Sequence, residues 1–273
     1  MDIIYLMKRE MNRRRYSQRT IETYEYCFNE FLKWCKKEPR KVNSHDIKEF
    51  LYMLSEKNKS ASTMNIYLNA IKFPLENILN KKHFFIDMPF SKVPKKLPIV
   101  LSKEEVSKLI ENISNNKHKL MIKLMYSAGL RVSELLNLKI EDFDFENNLG
   151  WVRQGKGNKD RIFIIAGSIK EELKEHIKNN CQVSNYLFTS NNHQLSTRTV
   201  QEIIKAAAKK SNLRKKVHPH TLRHSFATHL IENGYDITSV QSLLGHSSVE
   251  TTMVYVHIAS KKLISVKSPL DSL

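Results

Sequence analysis

The chain has 273 residues, enough for two modest domains that each bury a core. With 41% hydrophobic and 9% aromatic residues it is not a disordered tail, and no apolar run approaches membrane-spanning length. The formal net charge of +17 fits either a polyanionic partner or a lysine-rich solubilising surface.

The basic excess is spread along the chain. Residues 1–98 carry 20 Lys and Arg against 11 Asp and Glu, and the remainder carries 25 against 17. Such a distribution suits two modules gripping one ligand. Cys27, Cys35 and Cys181 form neither a Cys-x-x-Cys pair nor an even framework, so they read as small core residues in a reducing compartment. Apart from Asp2, residues 1–7 are apolar, but the basic cluster follows them, the wrong order for a signal peptide. A soluble, cytoplasmic protein with no membrane association is expected.

In chain order, Arg13, Arg14 and Arg15 precede the first predicted helix, available to phosphates or simply solvated. That helix carries Ile21, Tyr24, Phe28, Phe31, Leu32 and Cys35 at helical spacing and ends by Pro39. Ser44 is the expected cap of a second, with Ile47, Phe50, Leu51 and Leu54 inward. A third starts at Ser60 with Met64, Leu68, Ile71, Leu75 and Leu79 inward and a kink expected at Pro74. Pro89, Pro94 and Pro98, interleaved with Lys92, Lys95 and Lys96, form a stiff connector, placing a domain boundary near residue 95. Ser102 and Glu105 then make a capping box for a helix burying Val106, Leu109, Ile110 and Ile113. Strands are expected at 149–154 and 161–165, joined by a turn over 155–160. Helices follow at 168–179, 196–211, 219–232, 236–244 and 248–256, the last opened by a Ser247–Glu250 box.

Chemistry concentrates between Pro219 and His257. His220 and Arg223 stand three apart on one predicted helix, His246 lies in a Gly-His-Ser-Ser turn, and Tyr255 follows nine residues later. Imidazoles move protons near neutral pH, a guanidinium clamps phosphate oxygens, and a phenol can attack phosphorus. Nine helical residues span about 13 Å, so His246 and Tyr255 are not simple face neighbours, and Tyr255 must reach back or come from another protomer. His218, His220, His224 and His229 invite a zinc site, but no Glu lies between His220 and His224 in the zinc-peptidase pattern and no cysteine pair is near. No metal or other cofactor is expected. His224 reads as a hydrogen-bonded core or supporting residue.

Five pieces occur in order: Ala128-Gly-Leu-Arg131-Val-Ser-Glu134-Leu, Gly155-Lys156-Gly157-Asn158-Lys159, His220-Thr-Leu-Arg223-His224-Ser, Leu244-Gly-His246-Ser, and Tyr255. Together they resemble the tyrosine recombinase (lambda-integrase) family, most closely its Xer type. The resemblance implies a mainly α fold with a small antiparallel β-sheet in the second domain (α+β), arranged as a two-domain DNA clamp. It implies a helical core-DNA-binding domain at 1–90, a Pro/Lys linker at 91–98 and a catalytic domain at 99–273. In this pattern Tyr255 is the nucleophile, Arg131 and Arg223 hold the scissile phosphate, Lys156 is the general acid, and His220 and His246 complete the pocket. Glu134 orients Arg131. Lys159 is the rival to Lys156 on the same turn.

The implied partners are double-stranded DNA and further copies of the chain, a tetramer in the synapse, with a DNA translocase as a possible trigger. The tail 260–273, with Leu263, Ile264 and Val266, is expected to dock on a neighbouring protomer. A mobile-element integrase, a type IB topoisomerase and a catalytically silent DNA-binding protein are the alternatives.

Overall fold

The computed structural model describes residues 2–85, 88–94, 97–153, 160–180, 184–190, 193–245 and 248–259. The chain divides into two compact units, Met1–Lys95 and Lys96–Leu273. No helix among the described residues is long and apolar enough to cross a membrane.

The first unit is helical: α1 (Ile3–Arg13), α2 (Gln18–Cys35), α3 (Ser44–Glu56) and α4 (Ala61–Asn77). Helix α1 is not among the predicted elements. Asp2 caps it by accepting from the Ile4 backbone N–H at 3.0 Å, and its Met7 and Met11 are fully buried. The triple arginine therefore does not precede the first helix. Arg13 closes α1, Arg13 and Arg14 bond Glu10, Arg14 also bonds Asn77, and Arg15 turns the chain in a left-handed conformation.

Helix α2 stops where Lys36 turns left-handed, three residues before Pro39. Asn43, not Ser44, caps α3. Its side chain accepts from the Asp46 N–H while the Asp46 carboxylate accepts from the Asn43 N–H, both at 3.0 Å. Helix α4 runs through Pro74 and continues for three further residues. The core between α2, α3 and α4 holds Phe28, Phe31, Ile47, Phe50, Ile71 and Leu75, with Phe31 edge-on to Phe50 at 5.2 Å between centroids.

The second unit opens with α5 (Lys103–Glu111), capped by the Ser102–Glu105 box. Then come α6 (Asn116–Ser127) and the short α7 (Val132–Asn137), neither of them predicted. Strands β1 (Phe143–Asp144), β2 (Leu149–Val152) and β3 (Arg161–Ile164) form an antiparallel sheet in sequence order. Gly150 pairs with Phe163, whose ring lies where a Cβ would sit. Helix α8 (Gly167–Asn180), a two-stranded ladder of β4 (Thr189–Ser190) and β5 (His193–Gln194), and α9 (Thr197–Lys210) follow. Helices α10 (Pro219–Glu232), α11 (Ile237–Leu244) and α12 (Val249–Ala259) complete the unit. The turn over 155–160 and the Ser247–Glu250 box fall, wholly or in part, outside the described residues, and the tail lies outside them entirely.

Helix α10 is the centre of this unit. Thr221, Leu222, Arg223, Ser225, Ala227, Thr228 and His229 are all buried on it, so it has no single solvent face. It packs against α6, whose Leu120, Met121, Leu124 and Met125 are likewise buried. The turn between α6 and α7 passes through Gly129 at φ +58, which only glycine adopts without strain. That turn delivers Arg131 and Glu134 beside the first turns of α10.

Candidate active site

One carboxylate organises the site. Glu134 is almost completely buried and meets three guanidiniums. Its Oε1 accepts from Arg131 Nη1 at 2.5 Å, its Oε2 accepts from Arg161 Nη2 at 2.8 Å, and Arg223 Nη1 stands 3.6 Å from Oε2. The Arg131 backbone N–H also donates to Oε2 at 2.9 Å, which starts α7. Burial pushes the Glu134 carboxyl upward, but Arg161, Arg131 and their hydrogen bonds outweigh it and hold it below its usual value.

Arg223 is 3% exposed and is fixed by two carbonyls, Gly129 O at 2.6 Å and Leu244 O at 2.5 Å. Burial first, then the charge of Arg131, pull its pKa down to about 9, which leaves it charged at neutral pH. Three cations around one carboxylate leave an uncompensated positive charge in a largely dry place. Backbone carbonyls offset part of it, and an anion would offset the rest.

The histidines on α10 do different work. His218 caps the helix, its Nδ1 accepting from the Thr221 N–H at 3.2 Å. His220 reaches solvent one turn before Arg223. Desolvation, then His218, Arg223 and Arg131, press it below the usual imidazole value. His229 is buried against the Tyr126 hydroxyl at 2.8 Å. Among the described residues no cluster of three His, Cys, Asp or Glu is placed to hold a metal ion.

Tyr255, on α12, is 3% exposed and packs with Ala227, Val240 and Leu244. Its hydroxyl lies 2.9 Å from His224 Nδ1. Burial holds the Tyr255 pKa above the usual phenol value, against the opposing charges of Arg223 and Arg131.

The structure thus brings together Arg131, His220, Arg223 and Tyr255. Lys156 and His246 lie outside the described residues. Two participants were not singled out from the sequence. Arg161 is one, and nothing in the hairpin pattern separates it from a solvated basic residue. The other is the cap role of His218, signalled only by its place directly before Pro219.

Residues 100–262 match the model of the phage integrase family, and residues 3–83 match that of a phage integrase N-terminal SAM-like domain. Tyrosine recombinase XerA of Pyrococcus furiosus is 41% identical over 255 residues, covering 90% of this chain and 86% of the relative. The crystal structure of a XerA recombinase superposes with a TM-score of 0.58 at 32% identity, over 96% of this chain and 97% of that one. XerH site-specific recombinase, in a post-cleavage complex on a palindromic difH substrate, gives 0.73 at 27% identity over 89% and 77%.

Proposed function

This chain belongs to the phage integrase family of tyrosine recombinases, and we propose that the pocket around Glu134 is the active site with which it cuts and rejoins double-stranded DNA. It is a Xer-type site-specific recombinase, a DNA strand-transferase. The observation that carries the site assignment is the buried positive excess around Glu134, set beside a buried phenol.

Attack on a phosphodiester places extra negative charge on the non-bridging oxygens of the transition state. Arg131 and Arg223 are preorganised cations for that charge, and fixed charges stabilise the transition state more than the ground state. The Tyr255 hydroxyl lies 2.9 Å from His224 Nδ1, and in the tautomer whose Nδ1 carries no proton the ring takes the phenolic proton as the oxygen–phosphorus bond forms. The phosphorus–5′-oxygen bond breaks, and the departing oxygen takes a proton from Lys156, the role the family pattern assigns to it. The product is a 3′-phosphotyrosyl link and a free 5′-hydroxyl, which can attack the partner duplex's phosphotyrosine in turn. His220 and His246 complete the pocket in this scheme.

The DNA-bound relatives support a duplex substrate. Residues 1–90 serve as the core-DNA-binding part, 91–98 as linker and 99–273 as the catalytic part, four copies act on two sites, and the products are resolved chromosome or plasmid dimers in the cytoplasm.

The test is adduct mapping. The protein is incubated with sheared genomic DNA, covalent complexes are trapped, and the attached DNA is sequenced. The expected result is adduct at one recurrent sequence, lost in Tyr255→Phe. Adduct that persists in Tyr255→Phe would remove Tyr255 as the nucleophile. No adduct from the wild-type chain would favour a silent DNA-binding protein, and supercoil relaxation on DNA lacking the mapped site would favour a topoisomerase.

A further inference from the structure

We propose that Arg161 is a positioning residue for strand cleavage: by occupying one oxygen of Glu134 it keeps that carboxylate from capturing Arg223. This rests on Arg131 and Arg223 being the pair that holds the scissile phosphate.

Arg161 begins β3, yet its side chain is only 6% exposed. Its Nη1 donates to Leu243 O, and its Nη2 donates to Glu134 Oε2 at 2.8 Å and lies 3.5 Å from Gly129 O. Arg223 uses the same backbone segments, donating to Gly129 O and to Leu244 O, one residue beyond Leu243. The two guanidiniums therefore span the gap between the α6–α7 turn and the end of α11 side by side. The Arg161 stem fills the space beside Gly245, where an added Cβ would meet Arg161 Cδ at 2.8 Å.

The charge geometry gives this arrangement its consequence. Arg223 Nη1 is 3.6 Å from Glu134 Oε2, beyond hydrogen-bond distance, and Arg161 holds that oxygen instead. If Arg161 is removed, Oε2 loses its charged donor, and the nearest replacement is Arg223. A guanidinium drawn into a buried carboxylate is partly neutralised and turned from the substrate phosphate. Arg161 Nε, moreover, is a buried donor with no acceptor among the described residues.

The experiment measures single-turnover adduct formation on a nicked duplex bearing the mapped recombination site. Wild type is compared with Arg161→Met, Glu134→Gln, the double variant, Arg223→Ala and Tyr255→Phe, with duplex affinity and thermal melting followed in parallel. Arg161→Met is expected to lower the adduct rate by about 100-fold, the scale of a misplacement of about 1 Å, with duplex affinity unchanged. Adding Glu134→Gln to it should recover part of that loss, because a neutral amide no longer captures Arg223. A merely structural role for Arg161 gives no such recovery.

A wild-type rate in Arg161→Met, or a double variant no faster than Arg161→Met, overturns the inference. If Arg161→Met fails to fold, Arg161→Gln makes the same comparison with a polar side chain. Adduct that persists in Arg223→Ala defeats the underlying assignment instead, whatever Arg161 does.

Discussion

The Tyr255 hydroxyl and His224 Nδ1 are 2.9 Å apart on helices α12 and α10, both withdrawn from bulk water. Burial, then His220, His218 and Arg223, lower the His224 pKa to about 4, so at neutral pH the ring is uncharged, and its tautomer sets whether Nδ1 accepts from the phenol or donates to it. The proposed nucleophile is thereby held against an imidazole and out of contact with most solvent.

This pair predicts a pH dependence of stability. The folded His224 titrates near about 4 and the unfolded one near about 6.5, so in that window the unfolded chain binds a proton that the folded chain refuses. Stability is complete above about 6.5 and is lost as pH falls toward about 4, by up to about 3 kcal/mol from this group. His220 and His229 shift in the same direction, so the slope is shared. His224→Gln, which keeps a hydrogen-bonding side chain, should flatten it. Urea denaturation at about pH 7.5, above the window, and at about pH 5, inside it, compares the variant with wild type; equal acid losses in both would be contrary to the His224 assignment.

Glu134 should be the residue the second unit tolerates losing least. Replacing it with Ala leaves Arg131, Arg161 and Arg223 without their shared carboxylate, and an uncompensated buried charge costs about 3–5 kcal/mol. Glu134→Gln should cost less because it retains hydrogen-bonding oxygen and nitrogen. Chemical denaturation measures both, and an Ala variant within about 1 kcal/mol of wild type would show that the cluster is not what holds this region.

Gly129→Ala tests the turn that supplies the Arg223 acceptor. The position has φ +58, and an added Cβ would meet Phe226 Cδ1 at 2.4 Å. More than about 1 kcal/mol of destabilisation is expected from the strained backbone and the ring clash together. Adduct formation should fall as well, because the Gly129 carbonyl holds Arg223. A melting curve and the nicked-duplex assay report the two effects separately.

In the first unit, Asn43→Ala removes one half of the box that begins α3, leaving Asp46 with Lys37 and the Asn43 N–H. A loss of about 1 kcal/mol is expected, with Ser44→Ala nearly neutral, since Asn43 is the residue that accepts from the helix. Equal costs in the two variants would reassign the cap.

Much of this protein was legible without coordinates, for reasons that are local. Helices α2, α4 and α5 were readable because Phe28 and Phe31, Leu68 and Ile71, and Val106 and Leu109 repeat at the helical period behind or ahead of visible caps and breakers. Helix α1 escaped because its apolar start was weighed only against a signal peptide, and its buried Met7 and Met11 alternate with the basic residues Lys8, Arg9 and Arg13. Helix α6 escaped because an element buried on several sides shows no clear polar stripe.

The site divides in the same way. The order Arg131, His220, Arg223, Tyr255 is a property of the chain, and the family pattern could be matched to it residue by residue. That Glu134 serves three arginines, that Arg161 is one of them, and that Tyr255 rests on His224 are properties of the fold alone. Arg161 meets Glu134 across 27 residues and Leu243 across 82, and Tyr255 meets His224 across 31. No spacing rule reaches so far, because such contacts exist only after packing has brought the turn after α6, strand β3 and helices α10, α11 and α12 to one place, and burial has made their charges depend on one another.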